Sequence, residues 1–309
     1  MSQDNRPSTS RPDLSFITIN YNGIEDTTQL IESLLAHVSS LKWEIIVVDN
    51  GSKEDEAIKL KEKFADSPQV KVIEAGSNLG FAAGNNKGIK KARGRAMMLI
   101  NNDTYVTDDH FSELYHRLMD DDTIGAVCPK LRFDEEPKLI QYAGFTPLTS
   151  ITLRNQGIGC GEHDNGQHDT PSSTAFAHGA AVMFKWETLQ RAGMMSEDYF
   201  LYYEEMDWSE HIRRAGLQIW YDPAQTVFHK ESHTIGQQSV TRTYYMSRNR
   251  LIFARRNRRW PLRWCCYLYL YILGFVRDIP RHLLHRRPDL AVATLKGLAA
   301  FPFTKTSRQ

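Results

Sequence analysis

Residues 43–52, WEIIVVDNGS, join a continuous apolar run to a polar turn. A similar arrangement recurs in the first hundred residues at 14–20 (LSFITIN), 70–74 (VKVIE) and 96–100 (AMMLI). Apolar runs without polar alternation are typical of parallel strands that are buried on both faces of a sheet. The four runs therefore predict four strands of one buried, mostly parallel sheet.

Helical patterns separate these strands, so that strand and helix alternate along the chain. The predicted helices cover 25–38, 54–65 and 81–92, and Ser52 is a candidate N-cap for the second of them. Such alternation predicts an α/β fold, with a Rossmann-like, mostly parallel sheet and helices on both faces. Ligands of such folds bind beyond the carboxyl ends of the strands. That rule selects four segments, 20–23, 49–52, 76–80 and 101–104.

The composition excludes several classes of protein. The chain has 309 residues, 41% apolar and 24% charged, which is ordinary for a globular protein and rules out a disordered chain or a small disulfide-stabilised scaffold. The four cysteines, two of them adjacent, lack metal-ligand spacing and favour a reducing, cytoplasmic setting. The N-terminal residues have no apolar core, so we expect no secretory signal.

The net charge of +1 conceals an acidic body and a basic tail. Residues 242–309 hold 15 Lys and Arg against 2 Asp and Glu, which gives +13 and leaves −12 on the other residues. We predict a disordered N-terminus at 1–13, an α/β domain at 14–241 and a basic, partly amphipathic helical extension at 242–309. Residues 134–176, which are polar and rich in glycine and histidine, are interpreted as a long loop region with short strands. The charge of the tail suggests an anionic partner.

Polar segments follow the second and third predicted strands. Asp49 can accept hydrogen bonds from a base N–H or from ribose hydroxyls, although DNGS is also favourable turn sequence. The segment NLGFAAGNNKG, residues 78–88, has small residues that permit either close approach of a ligand or close packing of a helix on the sheet. Its glycine spacing fits neither a dinucleotide fingerprint nor a Walker loop. Both interpretations stay open for both segments.

Carboxylates and histidines are the candidates for metal binding and proton transfer. Asp103, which follows the fourth strand, is a hard oxygen ligand suited to Mg²⁺ or Mn²⁺. The segment FLYYEEMDW, residues 200–208, places three carboxylates within four residues. Their repulsion would raise the pKa of at least one, as suits a general base, although a helix N-terminus also favours acids. His229 and His233 lie close in sequence, and one of them could be a metal ligand.

Taken in order, these segments resemble an inverting nucleotide-sugar glycosyltransferase of family 2, which has the GT-A fold. The matching segments are ITINYNG (17–23), IIVVDNGS (45–52), NLGFAAGNNKG (78–88), LINNDTYV (99–106), HGAAVMF (178–184), FLYYEEMDWSEHIRRAG (200–216), VFHKESH (227–233) and YYMSRNR (244–250). The last two are similar to rhamnosyltransferase-like members that build bacterial surface polysaccharides. The resemblance implies that residues 14–106 bind the nucleotide sugar and that 107–241 form the acceptor and catalytic half.

The resemblance also assigns roles to individual residues. Those implied to bind the sugar donor are Asn20, Tyr21, Asp49, Gly80, Asn101, Asn102, Asp103 and Arg248. Asn20 and Tyr21 would lie against the base, Asp49 would bond the pyrimidine, and Gly80 would lie near the diphosphate. Asp103 would face a divalent metal, Mg²⁺ or Mn²⁺, whose site His229 can complete in some members. Glu205 falls at the position of the catalytic base.

Two departures from the family pattern affect these roles. The first acidic residue of the family's metal-binding triplet is Asn101 here, so the metal would meet fewer formal charges. The family's usual Asp at the base position is Glu205, which is one methylene longer, so Glu204 and Asp207 remain alternatives.

The implied reaction moves a sugar from dTDP-rhamnose or a UDP-sugar to a saccharide or lipid-linked acceptor in cell-surface polysaccharide synthesis. A non-catalytic module that binds nucleotide sugars or carbohydrates is one alternative. A nucleotidyltransferase is another, but it would need a basic triphosphate loop where this chain has NYNGIED.

The tail contains a 13-residue apolar run, Trp264–Val276, too short to span the roughly 30 Å of a bilayer's hydrocarbon. Arginines flank the run, so residues 255–287 are typical of a helix lying on an anionic membrane surface, here the inner face of the plasma membrane. Packing on the catalytic domain or in a homodimer is the alternative. The apolar run and the acidic body argue against nucleic acid as the partner.

Overall fold

The computed structural model describes residues 11–230, 239–304 and 306. Most of the predicted N-terminal segment and His233 therefore lie outside the described residues. The strands are β1 (Leu14–Asn20), β2 (Trp43–Asp49), β3 (Val70–Glu74), β4 (Ala96–Ile100), β5 (Thr104–Tyr105), β6 (Ile124–Phe133), β7 (Ile140–Tyr142), β8 (Ser172–Thr174), β9 (Ala181–Lys185) and β10 (Gln218–His229). The helices are α1 (Ile24–His37), α2 (Glu56–Lys63), α3 (Gly80–Ile89), α4 (Phe111–Met119), α5 (Trp186–Ala192), α6 (Glu204–Arg214), α7 (Val240–Asn257), α8 (Leu262–Ile272), α9 (Ile279–Leu284) and α10 (Pro288–Ala300).

One mixed sheet organises the domain, in the order β3-β2-β1-β4-β9-β6-β10-β5, with β7 on β6 and β8 on β10. Strands β3, β2, β1 and β4 are mutually parallel, and β6 is parallel to β10. Strand β9 runs antiparallel between β4 and β6, so its first residue, Ala181, pairs with Ile100 at the end of β4. The chain therefore enters β9 at the same sheet edge where β1, β2 and β4 end.

The four strands predicted first have the predicted bounds. Nearly all residues of β1, β2 and β4 are buried in the main core, whereas β3, at the end of the sheet, is half-buried against it. The 134–176 region is a long loop with two short strands, as predicted. The N-cap prediction for Ser52 is wrong. Helix α2 begins at Glu56, and Asp55 precedes it in a left-handed conformation, with φ of 54°. The Ser52 hydroxyl instead lies 3.0 Å from both Asn20 Nδ2 and the backbone nitrogen of Asn22.

Helix α3 packs unusually close to the sheet. A Cβ atom on Gly84 would lie 2.8 Å from Ile19 Cδ1, and one on Gly88 would lie 2.4 Å from Ile17 Cγ2. Atoms at these separations overlap, so a side chain at Gly88 would push against the branch of Ile17, and one at Gly84 would require the end of the Ile19 side chain to move. At these two glycines, the packing interpretation of the small residues is confirmed.

The C-terminal extension is helical, as predicted, but α7 begins at Val240, so the predicted boundary at 242 falls inside a helix. Helix α7 packs against α8 and α10 around a second apolar core. Leu251, Ile252 and Phe253 of α7 are fully buried there, and Leu270 and Leu298 cover them from α8 and α10. The extension is therefore a packed layer of the protein.

Candidate functional site

The ends of β1 and β2 are joined by buried polar side chains. Asn20 and Asp49 pair in register, and Asn20 Nδ2 donates to Asp49 Oδ2 at 2.9 Å. The other carboxylate oxygen of Asp49 accepts the backbone N–H groups of Gly51 and Ser52, at 3.2 and 3.1 Å. Thr27 donates to Asn20 Oδ1 at 2.7 Å, which fixes the orientation of the amide. The Asp49 carboxylate is therefore held rigidly at the carboxyl edge of the sheet.

Asn20 and Tyr21, the two residues expected to lie against a nucleotide base, differ in their exposure to solvent. The Asn20 side chain is fully buried and is occupied by Asp49 and Thr27, so the geometry gives it a positioning role. Tyr21 is 39% exposed at the tip of the same strand, where its ring is available for stacking.

Gly80 joins the 14–106 part of the domain to the segment before α6. Its φ is +81°, and a Cβ atom there would lie 2.3 Å from the Phe200 carbonyl oxygen. The next residue, Phe81, donates its backbone N–H to that same oxygen at 2.8 Å. Asn50 completes the junction, because its side chain accepts from Leu79 N at 3.1 Å. Segments far apart in sequence thus meet main chain to main chain at Gly80.

We expect Gly80→Ala to destabilise the protein and reduce kcat/KM, since the methyl group separates α3 from Phe200. Gly76→Ala is a matched control, because Gly76 has φ of +82° but open space around its Cβ position. Both variants carry the left-handed backbone cost of roughly 1–2 kcal/mol. The clash adds about 1–3 kcal/mol to Gly80→Ala alone. Equal losses of unfolding free energy in the two variants would show that the contact between Gly80 and Phe200 accommodates a methyl group.

Asp103 and His229 form the second part of the site. Strand β5 pairs with the end of β10, and Lys230 N donates to the Asp103 carbonyl at 2.9 Å. This pairing places His229 Nε2 3.2 Å from Asp103 Oδ1, and both side chains are more than nine-tenths buried. Gln141 Oε1 lies 2.8 Å from His229 Nδ1. An amide oxygen can only accept, so Nδ1 donates to Gln141, and Nε2 is the ring nitrogen that faces the carboxylate.

This pair fits a divalent cation. Two ligands in adjacent positions on Mg²⁺ or Mn²⁺, each bonded at about 2.1 Å, are about 3.0 Å apart, close to the observed separation. No group of three or more His, Cys, Asp or Glu ligands occurs in the described part of the chain. Further ligands would therefore have to come from a bound diphosphate and water, which is usual for such ions.

Asn102 and Asn101 do not add carboxylates to this pair. Asn102 Nδ2 lies 3.1 Å from Thr27 Oγ1, so this amide links the end of β4 to α1. The main chain of Asn101 is also engaged, because its N–H donates to the Ala180 carbonyl at 2.9 Å. Together these bonds hold the Asn101–Asp103 triplet against the entry to β9.

Helix α6 begins after two tyrosines in the left-handed region. Tyr202 and Tyr203 have φ of 68° and 78°, which costs roughly 1–2 kcal/mol for each non-glycine residue. Buried Asn249 of α7 holds this turn by donating to the carbonyl oxygens of Leu201 and Tyr202, at 2.7 and 2.8 Å. The strained turn is therefore fixed by the C-terminal extension, and it sets the direction in which the first residues of α6 point.

The three acidic residues in the first turn of α6 have different surroundings. Burial raises the pKa of Glu205, whose side chain faces Gly179: a Cβ atom there would lie 3.7 Å from Glu205 Cγ. Burial and the neighbouring Glu205 charge raise the pKa of Glu204 well above its usual range. Glu204 Oε2 is buried and has no hydrogen-bond partner among residues 11–230 and 239–304. Of this pair, Glu204 therefore keeps its proton to the higher pH.

Asp207 faces the opposite direction. It is fully buried, and its Oδ2 lies 3.0 Å from Arg256 Nε of α7. Asn257 Nδ2 and the Tyr199 hydroxyl also donate to this carboxylate. All three partners lie on the side of the C-terminal helices. The geometry thus makes Asp207 a structural anchor and removes it from the candidates for a base.

A continuous series of contacts connects Asp103 to Glu205. Beyond His229 lies the ring of His178, with 6.2 Å between the two ring centroids. The next residue, Gly179, packs against both Glu205 and Phe81. The strand tips, the segment that enters β9 and the start of α6 therefore meet at one edge of the sheet.

Arg248 of α7 lies beside this edge. Its guanidinium is 4.9 Å from the ring of Tyr245, and that ring stacks on Phe200 at 5.3 Å. Its Nε donates to Asn249 Oδ1 at 2.9 Å, while Nη2 is buried without a hydrogen-bond partner in the described chain. The positive charge of Arg248 therefore lies behind Phe200, the residue that contacts Gly80.

The model of the family described as glycosyl transferase family 2 matches residues 15–186. The chain belongs to this family. The match covers β1 to β9 and thus the tips of β1, β2 and β4, while α6 and β10, which carry Glu205 and His229, lie beyond it. The chain is therefore a nucleotide-sugar glycosyltransferase of glycan biosynthesis with the GT-A fold, as the resemblance predicted.

Individual relatives agree with this assignment. The chain is 25% identical over 285 residues to dTDP-rhamnosyl transferase RfbF of Shigella flexneri, covering 86% of each chain. It is 24% identical over 250 residues to the low-salt glycan biosynthesis hexosyltransferase Agl10 of Haloferax volcanii, covering 80% of this chain and 74% of Agl10. Among solved structures, GalNAc-T7 with UDP, GalNAc and Mn²⁺ matches with a TM-score of 0.60 and 15% identity, over 72% of this chain and 44% of that chain. The chain thus spans less than half of GalNAc-T7.

The roles of three residues in this family 2 site were not predicted from the sequence. Gln141 lies in the region interpreted as a loop, and no local pattern connects it to His229. His178 begins a motif, but its enclosure became visible only in the structure: burial and the nearby His229 lower its pKa to about 3, so the ring is neutral. Asn249 lies in the motif YYMSRNR, yet its partners are about fifty residues away.

Proposed function

We propose that this glycosyltransferase is metal-dependent and inverting, and that it transfers a sugar from a nucleoside diphosphate sugar to a saccharide or lipid-linked acceptor. The donor would be dTDP-rhamnose, as the name of RfbF suggests, or a UDP-sugar. One observation carries the proposal: Glu205, with its raised pKa, is linked through Gly179 and His178 to the Asp103–His229 pair. A base and a metal-binding pair at one sheet edge are what a one-step displacement requires.

The donor nucleotide would bind across the ends of β1 and β2. Asp49 has its side-chain oxygens fixed by Asn20 and by backbone N–H groups, so it can accept from a pyrimidine N–H without reorganising. Tyr21 would stack on the base. Arg248 would contact the diphosphate, because guanidinium groups bind phosphate oxygens in a bidentate manner.

Asp103 and His229 would hold the metal together with the donor diphosphate. A bound divalent ion supplies compensation for the charge that develops on the leaving diphosphate. By accepting from Nδ1, Gln141 would favour the His229 tautomer that presents the Nε2 lone pair to the cation. MnCl₂ titration should therefore reveal donor binding that depends on both of these side chains.

Glu205 would accept the proton of the acceptor hydroxyl as its oxygen attacks the anomeric carbon. The C–O bond to the acceptor forms while the bond to the diphosphate breaks, so a single displacement inverts that carbon. The raised pKa keeps Glu205 basic enough to take the proton, and the pKa of Glu204, raised well above its usual range, favours a neutral neighbour and so limits the negative charge beside the base.

We expect Asp103→Asn to weaken Mn²⁺-dependent binding of the sugar donor by at least about tenfold, since changes even to residues behind metal ligands cost 10–100-fold. Calorimetric titration of UDP and dTDP, with and without MnCl₂, measures this loss. Asp122→Asn is the control, because Asp122 is exposed beside Lys185 at the opposite sheet edge. Donor affinity that stays the same in Asp103→Asn would exclude this metal site.

A donor screen tests the reaction itself. We expect one activated sugar to release free nucleoside diphosphate, and the anomeric configuration of the product, read by NMR, to be inverted. Binding of a nucleotide sugar without release, across a wide set of acceptors, would favour a non-catalytic module. Release of pyrophosphate from a nucleoside triphosphate would favour a nucleotidyltransferase.

A further inference from the structure

The helix that runs from α8 into α9 is apolar on two opposite sides. On one side, Cys266, Leu270 and Gly274 are buried against α7 and α10. Residues two positions away, on the other side, are exposed: Trp264 by 62%, Leu268 by 65% and Ile272 by 52%. Side chains two positions apart on a helix point about 200° apart. This helix therefore covers the core with one face and presents a second apolar face outward.

We call this second side the outer face, and it extends beyond α8. It comprises eight large side chains that are each at least half exposed: Trp260, Trp264, Leu268, Ile272, Phe275, Val276, Leu283 and Leu284. From Trp264 to Val276 they recur every four residues, over about 18 Å of helix axis. Scattered exposed apolar residues are normal, but a contiguous row of this kind marks a binding surface.

Positive charge accompanies the outer face. Residues 255–287 contain nine arginines and a single acidic residue, Asp278. Arg277 and Arg281 are exposed on the helix that runs from α8 into α9, and Arg259 and Arg286 are exposed in the loops at its two ends. An apolar strip with tryptophan and flanking arginines is chemically complementary to a bilayer surface, where acyl chains lie beneath anionic headgroups.

We propose that the outer face docks on an anionic lipid bilayer, with α8 and α9 lying in the plane of the interface. No helix of the described chain has the length and apolar character needed to cross a membrane. The flanking arginines would each interact favourably with acidic headgroups. Several charges acting together with apolar insertion give reversible but stable attachment.

A second copy of the chain fits this surface less well. A twofold-symmetric contact places the same patch against itself, so the arginines of one copy would approach those of the other. Asp278 is the one acidic residue among 255–287 that could offset this repulsion, and it is already bonded to Arg277. The charge of the outer face therefore favours lipid as the occupant.

The docked helices are held firmly to the catalytic body. Arg256 and Asn257, at the end of α7, both bond to Asp207 of α6, two residues after Glu205. Attachment through the outer face would therefore fix how the site edge is oriented to the membrane.

Co-sedimentation of the full chain with vesicles tests the proposal. We expect binding to phosphatidylcholine vesicles that contain phosphatidylglycerol, weaker binding to phosphatidylcholine alone, and release by added NaCl. Leu268→Glu should lower the partition coefficient by about tenfold or more. Ile58→Glu is the matched control, because Ile58 is a 49% exposed residue of α2 and undergoes the same change of charge. Both variants should keep the thermal unfolding and the donor cleavage of the wild type.

Two outcomes would overturn the proposal. One is equal sedimentation of the wild type, Leu268→Glu and Ile58→Glu. The other is a concentration-dependent dimer, seen by sedimentation velocity, that Leu268→Glu dissociates while no form binds vesicles. That result would assign the outer face to a contact between copies. Vesicle binding is measured without any sugar, so a negative result in that measurement leaves the proposed reaction unaffected.

Discussion

Glu205→Gln should lower kcat by about 10²–10⁴-fold, the usual contribution of a general base, while the affinity for the sugar donor persists. The substitution keeps the size of the side chain and its packing against Gly179, but the amide cannot accept the acceptor's proton. Single-turnover measurements with saturating donor and acceptor separate this chemical effect from binding.

The pH profile gives an independent reading of the same residue. Burial raises the pKa of Glu205, so kcat/KM of the wild type should rise with pH as the carboxyl loses its proton, with a midpoint above that of an ordinary glutamate. In Glu205→Gln, this inflection should vanish. A midpoint in the usual glutamate range would contradict the raised pKa.

Glu204→Gln is the control for this experiment, since it makes the same chemical change one residue earlier. Glu204 is buried and its pKa is raised well above the usual range, so glutamine resembles the neutral form that burial favours. We expect this variant to keep most of its turnover. If Glu204→Gln loses turnover and Glu205→Gln does not, the base is Glu204.

Asp207→Asn should reduce the free energy of unfolding by about 3–5 kcal/mol, the usual cost of removing one partner of a buried ion pair. The Arg256 side chain is only 7% exposed, so loss of the Asp207 carboxylate takes one negative partner from a buried guanidinium that also pairs with Asp198. Asn257 and Tyr199 lose the same acceptor. Denaturation by urea, followed by circular dichroism, measures the change.

Asp289→Asn is the matched control for Asp207→Asn, because Asp289 pairs with Arg287 at 2.8 Å on the surface of the same extension. Water screens that pair, so its loss should change stability far less. If the two variants unfold at the same urea concentration, the Asp207–Arg256 pair does not anchor α7 to α6.

Local sequence patterns were sufficient to predict the strands of residues 14–106. Continuous apolar runs such as 43–49 can be buried only as inner strands, and polar residues directly after them have to lie at the sheet edge. The bounds of β1 to β4 and the grouping of Asn20, Asp49 and the 101–103 triplet followed from that reasoning. The structure adds that Asn20 supports Asp49 from within the sheet.

Contacts between distant segments could not be predicted in the same way. Gly80 meets Phe200 across 120 residues, and Asp207 meets Arg256 across 49. Neither contact leaves a local signal, because a carboxylate in an acidic cluster looks the same whether it faces a substrate or an arginine. The N-cap prediction for Ser52 was wrong for a related reason. Its hydroxyl bonds to the tip of β1, and sequence spacing cannot reveal that contact.

The anchoring of the Tyr202–Tyr203 turn and of Asp207 by α7 constrains the construction of chimeras. A graft that exchanges only residues after β10 would separate Asn249, Arg256 and Asn257 from the backbone and the carboxylate that they hold. Hybrid enzymes with a borrowed tail should therefore work only when residues 198–207 are transplanted along with α7. The interchangeable unit of this architecture is discontinuous in sequence.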